Sequence, residues 1–271
     1  MKDALIVSLL SLLPRNRSAA GVGWFARTGI SRAFTGLFVW AYGVNLDEAT
    51  GTLADYPTLE SLFTRQLEQG ARPVDPNPFS MVSPVDGRCA AVGQTVNGCI
   101  ELAPGRLLDI ADLLGETLDS EVDAAVLYLS PTDYHRVHTP REGQVTAFKY
   151  TPGTLWPVFP AAVRRVDNLF SRNERMVVHL ESDAGPIEVV LVGAFGVGRI
   201  EIVCAELQSN TAASAHAETL SAPIHLTRGA ELGTFHLGST VVVVTPPGRW
   251  NWIINPGEPV RLGREIAQLE M

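Results

Sequence analysis

From residue 81 onward the chain breaks into short, β-branched apolar runs separated by glycine and proline, and this texture constrains the fold more than any other feature. The clearest runs cover 124–129, 145–150, 176–180, 187–192, 200–203 and 241–244. Runs of this length and composition, bounded by turn residues, read as strands. Beyond the first 45 residues, helical spacing is confined to a stretch near 59–67 and to 107–114. The fold class expected is therefore α+β, with N-terminal amphipathic helices followed by a mostly antiparallel β-sheet domain.

The first 45 residues differ in kind. Lys2, Arg15, Arg17, Arg27 and Arg32 stand against Asp3 alone, a sum of +4; the whole chain of 271 residues carries −8, so the other 226 carry −12. This basic end is also apolar. Leu5, Ile6, Leu9, Leu10, Leu12 and Leu13 recur at helical spacing until Pro14. A second segment, 30–42, sets Ile30, Phe34, Leu37, Phe38 and Ala41 on one helical face and adds Trp40 and Tyr42, rings suited to a headgroup boundary. Interfacial helices drawn to anionic lipid fit this pattern. So do ordinary core helices, and the sequence leaves both open. A signal peptide fits poorly, because Pro14, Arg15 and Arg17 fall between the apolar stretch and Ser18-Ala19-Ala20, where a cleavage region is neutral. No apolar run reaches the roughly 18 residues of a spanning helix. The polar stretch 46–80, which closes on Arg72-Pro73 and Pro76-Asn77-Pro78, reads as a connecting segment. Three parts result: 1–45, 46–80 and 81–271.

Composition excludes several classes. Hydrophobic residues make up 46% and charged residues 18%, with mean hydropathy +0.12, which rules out disorder. A pI near 5.3 argues against a basic footprint over the whole chain, so no nucleic-acid partner is expected. Cys89, Cys99 and Cys204 leave one thiol over in any disulfide scheme and fit no zinc spacing, which points to a reducing compartment. Gly193, Gly196 and Gly198 follow the order GxxGxG rather than GxGxxG, with no helix signal after them, and read as turn or bulge glycines.

Three stretches carry candidate chemistry: 83–88 with Asp86-Gly87, 130–140 with His135 and His138, and 233–240 with Ser239. Each has a plain structural reading. Asp-Gly is ordinarily a turn, and a hydroxyl residue opening a buried strand is ordinarily an edge residue. In an extended segment His135 and His138 point to opposite faces. No third ligand lies nearby, and no metal is expected. An Asp, a His and a Ser from distant positions can assemble an orienter, a base and a nucleophile, but the presence of these three residue types in a chain this long proves little.

In combination, the stretches resemble the pyruvoyl-dependent phosphatidylserine decarboxylases of prokaryotic type over nearly the full chain. The resemblance runs from Phe63-Thr64-Arg65-Gln66-Leu67 and Arg72-Pro73 through Pro84-Val85-Asp86-Gly87 to Leu129-Ser130-Pro131 and Asp133-Tyr134-His135-Arg136-Val137-His138. It continues through Pro152-Gly153 with Leu155, Asn168-Leu169-Phe170, Asn173-Glu174-Arg175 and Val192-Gly193-Ala194. Leu237-Gly238-Ser239-Thr240 matches the family's self-cleavage motif. Arg199 departs from the pattern, standing where bacterial members carry a small residue.

The resemblance implies an autocatalytic zymogen. Cleavage between Gly238 and Ser239 would give a β chain of residues 1–238 and an α chain of residues 239–271. Ser239 would be the nucleophile and the source of a covalent pyruvoyl cofactor, His138 the matched base, Asp86 the matched carboxylate that orients it, and His135 the residue assisting reprotonation. Phosphatidylserine would form a Schiff base with the pyruvoyl group, lose CO2 and leave as phosphatidylethanolamine. Implied partners are a membrane surface, bound peripherally on the cytoplasmic side of the cell membrane, and a second copy in a homodimer of the cleaved pair. Two alternatives use the same scaffold. A pyruvoyl decarboxylase of a soluble amino acid would act on free serine, and a non-maturing lipid-binding homologue would purify as one uncut band.

Overall fold

The computed structural model describes residues 15–195, 199–209, 214–236 and 239–270. The apolar run at 5–13 lies outside them, as do Gly196, Gly198, Leu237 and Gly238. An eight-stranded antiparallel sheet forms the body, in the spatial order His216–Leu226, Gly143–Thr151, Arg175–Ser182, Gly185–Gly193, Ser239–Thr245, Asp123–Leu129, Gly87–Gln94 and Pro259–Val260. Ser239–Thr245 is interior to this sheet, with Val241 opposite Leu191 on one side and Leu127 on the other. All seven of its residues are buried, which explains a run of four valines where a half-exposed strand would alternate. A second sheet of four strands runs in the order Ala205–Gln208, Ile200–Ile202, Glu231–Phe235 and Arg136–His138. The chain leaves this second sheet at Phe235 and enters the large one at Ser239.

Each of the six β-type runs singled out after residue 81 falls on a strand, the run 200–203 overrunning Ile200–Ile202 by one residue. The helix expected over 107–114 is half right. Leu107 and Leu108 belong to the strand Arg106–Asp109, which pairs with Cys99–Ala103, and the helix is Ile110–Leu114. The boundary is set by Asp109, whose carboxylate accepts from the Asp112 N–H at 2.9 Å and caps the first turn. The helix ends at Gly115, in the left-handed region with φ 68°. Near 59–67 the helix is only Leu59–Phe63, opened by a reciprocal Thr58–Ser61 capping box. The strand His216–Leu226 is mostly exposed at the sheet edge and carries no apolar alternation by which to recognise it.

The N-terminal segment is built against the usual grain. Helix Arg15–Arg27 is followed by a 3-10 turn, Gly29–Phe34, and a helix, Thr35–Tyr42. The buried residues of the latter two are Ser31 and Thr35, while Ile30, Phe34, Leu37, Trp40 and Tyr42 face outward. Trp40 is 80% exposed and Trp24 64%. Polar residues inside and large apolar side chains outside reverse the arrangement of a core helix, and exposed apolar surface of this extent is ordinarily a contact surface.

Candidate active site

Ser239 opens the interior strand of the large sheet. Its backbone is fixed on both sides, opposite Leu129 and Gly193. Gly193 is itself held by the buried Asn173, whose side-chain amide donates to the Gly193 carbonyl at 2.8 Å and to the Trp156 carbonyl at 2.8 Å. The Ser239 hydroxyl is buried and has no hydrogen-bond partner among the described residues. An unpartnered buried hydroxyl is costly, and such groups mark sites where something other than stability has been selected.

His138 ends, and His135 immediately precedes, the strand Arg136–His138, which pairs with Glu231–Phe235, the last strand before Ser239. The Phe235 N–H donates to the His135 carbonyl at 2.9 Å, tying the His135 backbone to a point four residues before Ser239. Each ring is set in one tautomer by a backbone carbonyl. His135 Nδ1 lies 2.8 Å from the Asp133 carbonyl, and His138 Nδ1 lies 2.7 Å from the Gly229 carbonyl. A carbonyl only accepts, so both Nδ1 atoms carry the proton and both Nε2 atoms present a lone pair. His135 Nε2 has no partner among the described residues. His138 Nε2 is 3.4 Å from the Tyr134 hydroxyl, a phenol that burial pushes up to about 12. Burial favours the neutral ring in both histidines, outweighing their hydrogen-bonded carbonyls, and brings His135 down to about 3. Both rings are therefore neutral and share the Nδ1–H tautomer.

Asp86 sits at the turn before the strand Gly87–Gln94. Gly87 allows the close approach there, since a Cβ at that position would run into the Tyr128 carbonyl. The His138 N–H donates to the Pro84 carbonyl at 2.8 Å, which draws this turn beside the base. The carboxylate itself is engaged elsewhere. Arg72 Nε lies 3.0 Å from both oxygens and Nη2 2.6 Å from Oδ2, while the Leu262 N–H donates to Oδ1 at 2.8 Å. No hydrogen bond joins Asp86 to His138. The contact that orients the His138 ring is the Gly229 carbonyl, and Asp86 acts on it through charge, after Glu231, among the influences that favour the protonated ring.

Sequence reasoning gave no role to the platform beneath these groups. Helix Leu59–Phe63 and the two residues after it touch the site at four points. Phe63 packs against His135, with ring centroids 3.9 Å apart and the rings tilted by 44°. The Thr64 carbonyl accepts from Arg136, and Arg65 Nη2 donates to the Thr132 carbonyl at 3.0 Å, fixing the turn that delivers His135. Glu60 meets His236. The opposite side of the platform carries the N-terminal layer, with Phe38 6.3 Å from Phe63 and Ser31 Oγ accepting from the Leu59 N–H at 2.8 Å. The signal for Phe63, Arg65 and Arg72 was present, since all three lie in the matched stretches, but spacing alone gives a partner to none of them.

Comparison with known proteins agrees with this geometry. The family model described as "Phosphatidylserine decarboxylase" matches residues 59–268, from the platform helix through the last strand. A phosphatidylserine decarboxylase proenzyme from Myxococcus xanthus (strain DK1622) is 37% identical over 280 residues, covering 98% of this chain and 99% of its own. The proenzyme of the same name from Anaeromyxobacter sp. (strain K) is 39% identical over 283 residues, with 98% and 99% covered. That from Pseudomonas fluorescens (strain Pf0-1) is 36% identical over 283 residues, with 99% of each chain covered. With the platform, both histidines and the Ser239 strand inside the match, and relatives aligned end to end, the chain belongs to the phosphatidylserine decarboxylase family.

Proposed function

We propose that the chain is a zymogen that cleaves itself at Gly238–Ser239 and then decarboxylates phosphatidylserine to phosphatidylethanolamine. The observation that carries this reading is the Ser239 hydroxyl, buried and unpartnered among the described residues, at the start of the strand that follows the one paired with the histidine segment. In the maturation step Ser239 Oγ attacks the Gly238 carbonyl carbon; the C–N bond breaks as the C–O ester bond forms. The hydroxyl proton passes to His138 Nε2, whose lone pair is free to take it because Gly229 holds the proton on Nδ1. The charge of Asp86 favours the imidazolium so formed. Elimination frees the Gly238 carboxylate and leaves dehydroalanine, which takes up water, releases ammonia and becomes a pyruvoyl group at the new N-terminus of the α chain.

The residues around Ser239 fit such a group, since a buried strand end with an orphaned polar atom shields a ketone from water. When formed, it supplies the sink for the electron pair left behind as CO2 departs. His135 then holds or returns the proton at Nε2, the atom without a partner among the described residues. The outward apolar side chains of Trp24, Ile30, Leu37 and Trp40, with Arg27 and Arg32 nearby in sequence, support a membrane-facing layer next to the platform. A lipid substrate gives that layer its purpose. No described helix is long and apolar enough to cross a membrane, so the reading is peripheral attachment. Two copies of the cleaved pair would form the working unit.

The test separates the two histidines. His138→Ala and Asp86→Ala are expected to accumulate uncut precursor, and Ser239→Ala to give only uncut, inactive chain. His135→Ala is expected to cut yet turn over phosphatidylserine at least tenfold more slowly. Cleavage at the same rate in His138→Ala and the unaltered chain would remove His138 as the base.

A further inference from the structure

We propose that the Tyr134 hydroxyl is a positioning group for self-cleavage, holding His138 Nε2 both before and after that nitrogen takes the Ser239 proton. The inference deepens the maturation reading above and rests on it.

Tyr134 is buried, and its hydroxyl lies 3.4 Å from His138 Nε2, with the two ring centroids 5.8 Å apart. A buried phenol ordinarily finds a hydrogen-bond partner, and among the described residues the partner of this one is His138. The direction of the bond is set at the other end of the imidazole. Nδ1 gives its proton to the Gly229 carbonyl at 2.7 Å, so Nε2 is a lone pair and the phenol is the donor. Burial keeps the phenol protonated across the neutral range.

The two ends of the ring have different jobs. Gly229 selects the tautomer. A ring held at one nitrogen can still swing about its Cβ–Cγ bond, and a second contact at the opposite nitrogen fixes its plane. A hydroxyl suits that second position because it carries one donor and two lone pairs. It donates while Nε2 is unprotonated and, by rotating about its C–O bond, accepts from Nε2 once the proton has arrived. A carbonyl or a guanidinium could do only one of these. Among the charged groups around His138, Glu231 and Asp86 favour the imidazolium, while burial and Arg136 oppose it. Both acids are engaged elsewhere, Glu231 by Arg136 at 2.8 and 2.9 Å and Asp86 by Arg72 at 2.6 Å. The phenol is therefore the side chain that meets the base directly.

The backbone beneath Tyr134 is held on both sides. Arg65 Nη2 donates to the Thr132 carbonyl at 3.0 Å and lies 3.4 Å from the Asp133 carbonyl, and the Phe235 N–H donates to the His135 carbonyl at 2.9 Å. The phenol thus projects from between two anchored residues. Its contact with Nε2 is long, as hydrogen bonds of an unreacted site often are before they tighten during the reaction. A base displaced by an ångström is enough to slow proton transfer.

Two measurements test this role. Nitrogen NMR of the histidine rings, in the full chain kept uncut by Ser239→Ala, reads the lone pair itself near pH 7. Tyr134→Phe is expected to move the His138 Nε2 resonance downfield, toward an unbonded imine nitrogen, and to leave Nδ1 in place; His138→Gln identifies both resonances by their loss. A merely structural phenol would not move one ring nitrogen and spare the other. Gel densitometry of the full chain refolded from denaturant, with Ser239 present, reads cleavage, and Tyr134→Phe is expected to cut about tenfold more slowly than the unaltered chain. Thermal melting reports whether the phenylalanine variant folds. If it does not, a ring-difluorinated tyrosine at position 134 takes its place: its more acidic hydroxyl donates more strongly, so Nε2 is expected to move upfield instead. An unaltered chain that stays uncut sinks the maturation reading and the positioning role with it. Cleavage in the unaltered chain, with Tyr134→Phe cutting at the same rate or faster, or with Nε2 unmoved by the substitution, sinks the positioning role alone.

Discussion

Arg72→Ala tests how the Asp86 carboxylate is held. Three of the four hydrogen bonds to that carboxylate come from Arg72, at 3.0, 3.0 and 2.6 Å, and the fourth from the Leu262 N–H at 2.8 Å. Both side chains are 12% exposed. Truncating one partner of a buried ion pair strands the other charge, at about 3–5 kcal/mol when burial is complete; with Glu48 also bound to Arg72 and some solvent access, about 3 kcal/mol is expected. Arg72→Lys keeps the charge but loses the fork, for about 1–1.5 kcal/mol. The pair Arg72→Ala/Asp86→Asn removes both charges and is expected to be at least 1 kcal/mol more stable than the sum of the single changes. All variants are made in a Ser239→Ala background, which keeps the chain uncut. That background should itself be neutral or slightly stabilising, because the lost hydroxyl had no partner among the described residues. Guanidinium unfolding midpoints give the differences. An Arg72→Ala shift below about 0.5 kcal/mol would show that the pair carries no stability, contrary to the buried-pair argument.

Two further outcomes follow from burial. Burial brings His135 down to about 3 in the folded chain from its ordinary 6.5, so between those values the unfolded chain binds a proton the folded chain refuses. Stability contributed by the neutral ring is full above pH 6.5 and falls as pH drops toward 3, by up to about 1.4 kcal/mol per pH unit; His135→Gln in the uncut background should flatten the slope between pH 6.5 and 4.5, and an unchanged slope would refute the burial argument. Trp40 is 80% exposed, and seating such a ring in a bilayer boundary at about 25 cal/mol per Å² is worth about 2 kcal/mol after allowing for partial insertion. Trp40→Ala should weaken co-sedimentation with anionic vesicles about thirtyfold, and undiminished binding would detach this layer from lipid. Point substitution is the right probe here, because deleting residues 1–45 would also strip Phe38 from Phe63 and Ser31 from Leu59.

Strand content was legible because the middle strands of the large sheet are buried on both faces. Continuous apolar runs such as 241–244 exist only where both faces are covered, and each landed on a strand. What escaped was whatever did not depend on apolar pattern. His216–Leu226 is held by its ladder to Gly143–Thr151 and carries a polar, exposed face. Helix Ile110–Leu114 begins where a single cap at Asp109 outweighs two leucines of helical spacing. At the site, the motif residues were identifiable but their contacts were not. Asp86 was expected to orient His138, whereas its hydrogen bonds go to Arg72 and Leu262, and a carbonyl 91 residues from His138 sets its tautomer. Such partners come from chain crossings that no local spacing encodes. The N-terminal segment shows the same limit from the other side: its periodicity was visible, but only the structure shows that Ser31 and Thr35 face in and the rings face out.

The central claim is that Ser239 is consumed to make the working enzyme, and intact mass spectrometry of the purified, unaltered protein tests it most directly. The account predicts two chains, one of residues 1–238 and one of residues 239–271, the smaller lighter than its sequence mass by the difference between a serine amine terminus and a pyruvoyl terminus, and refractory to N-terminal sequencing. A single species at the full 29.2 kDa in a preparation that decarboxylates phosphatidylserine, or a small chain bearing a free Ser239 amine, would contradict it.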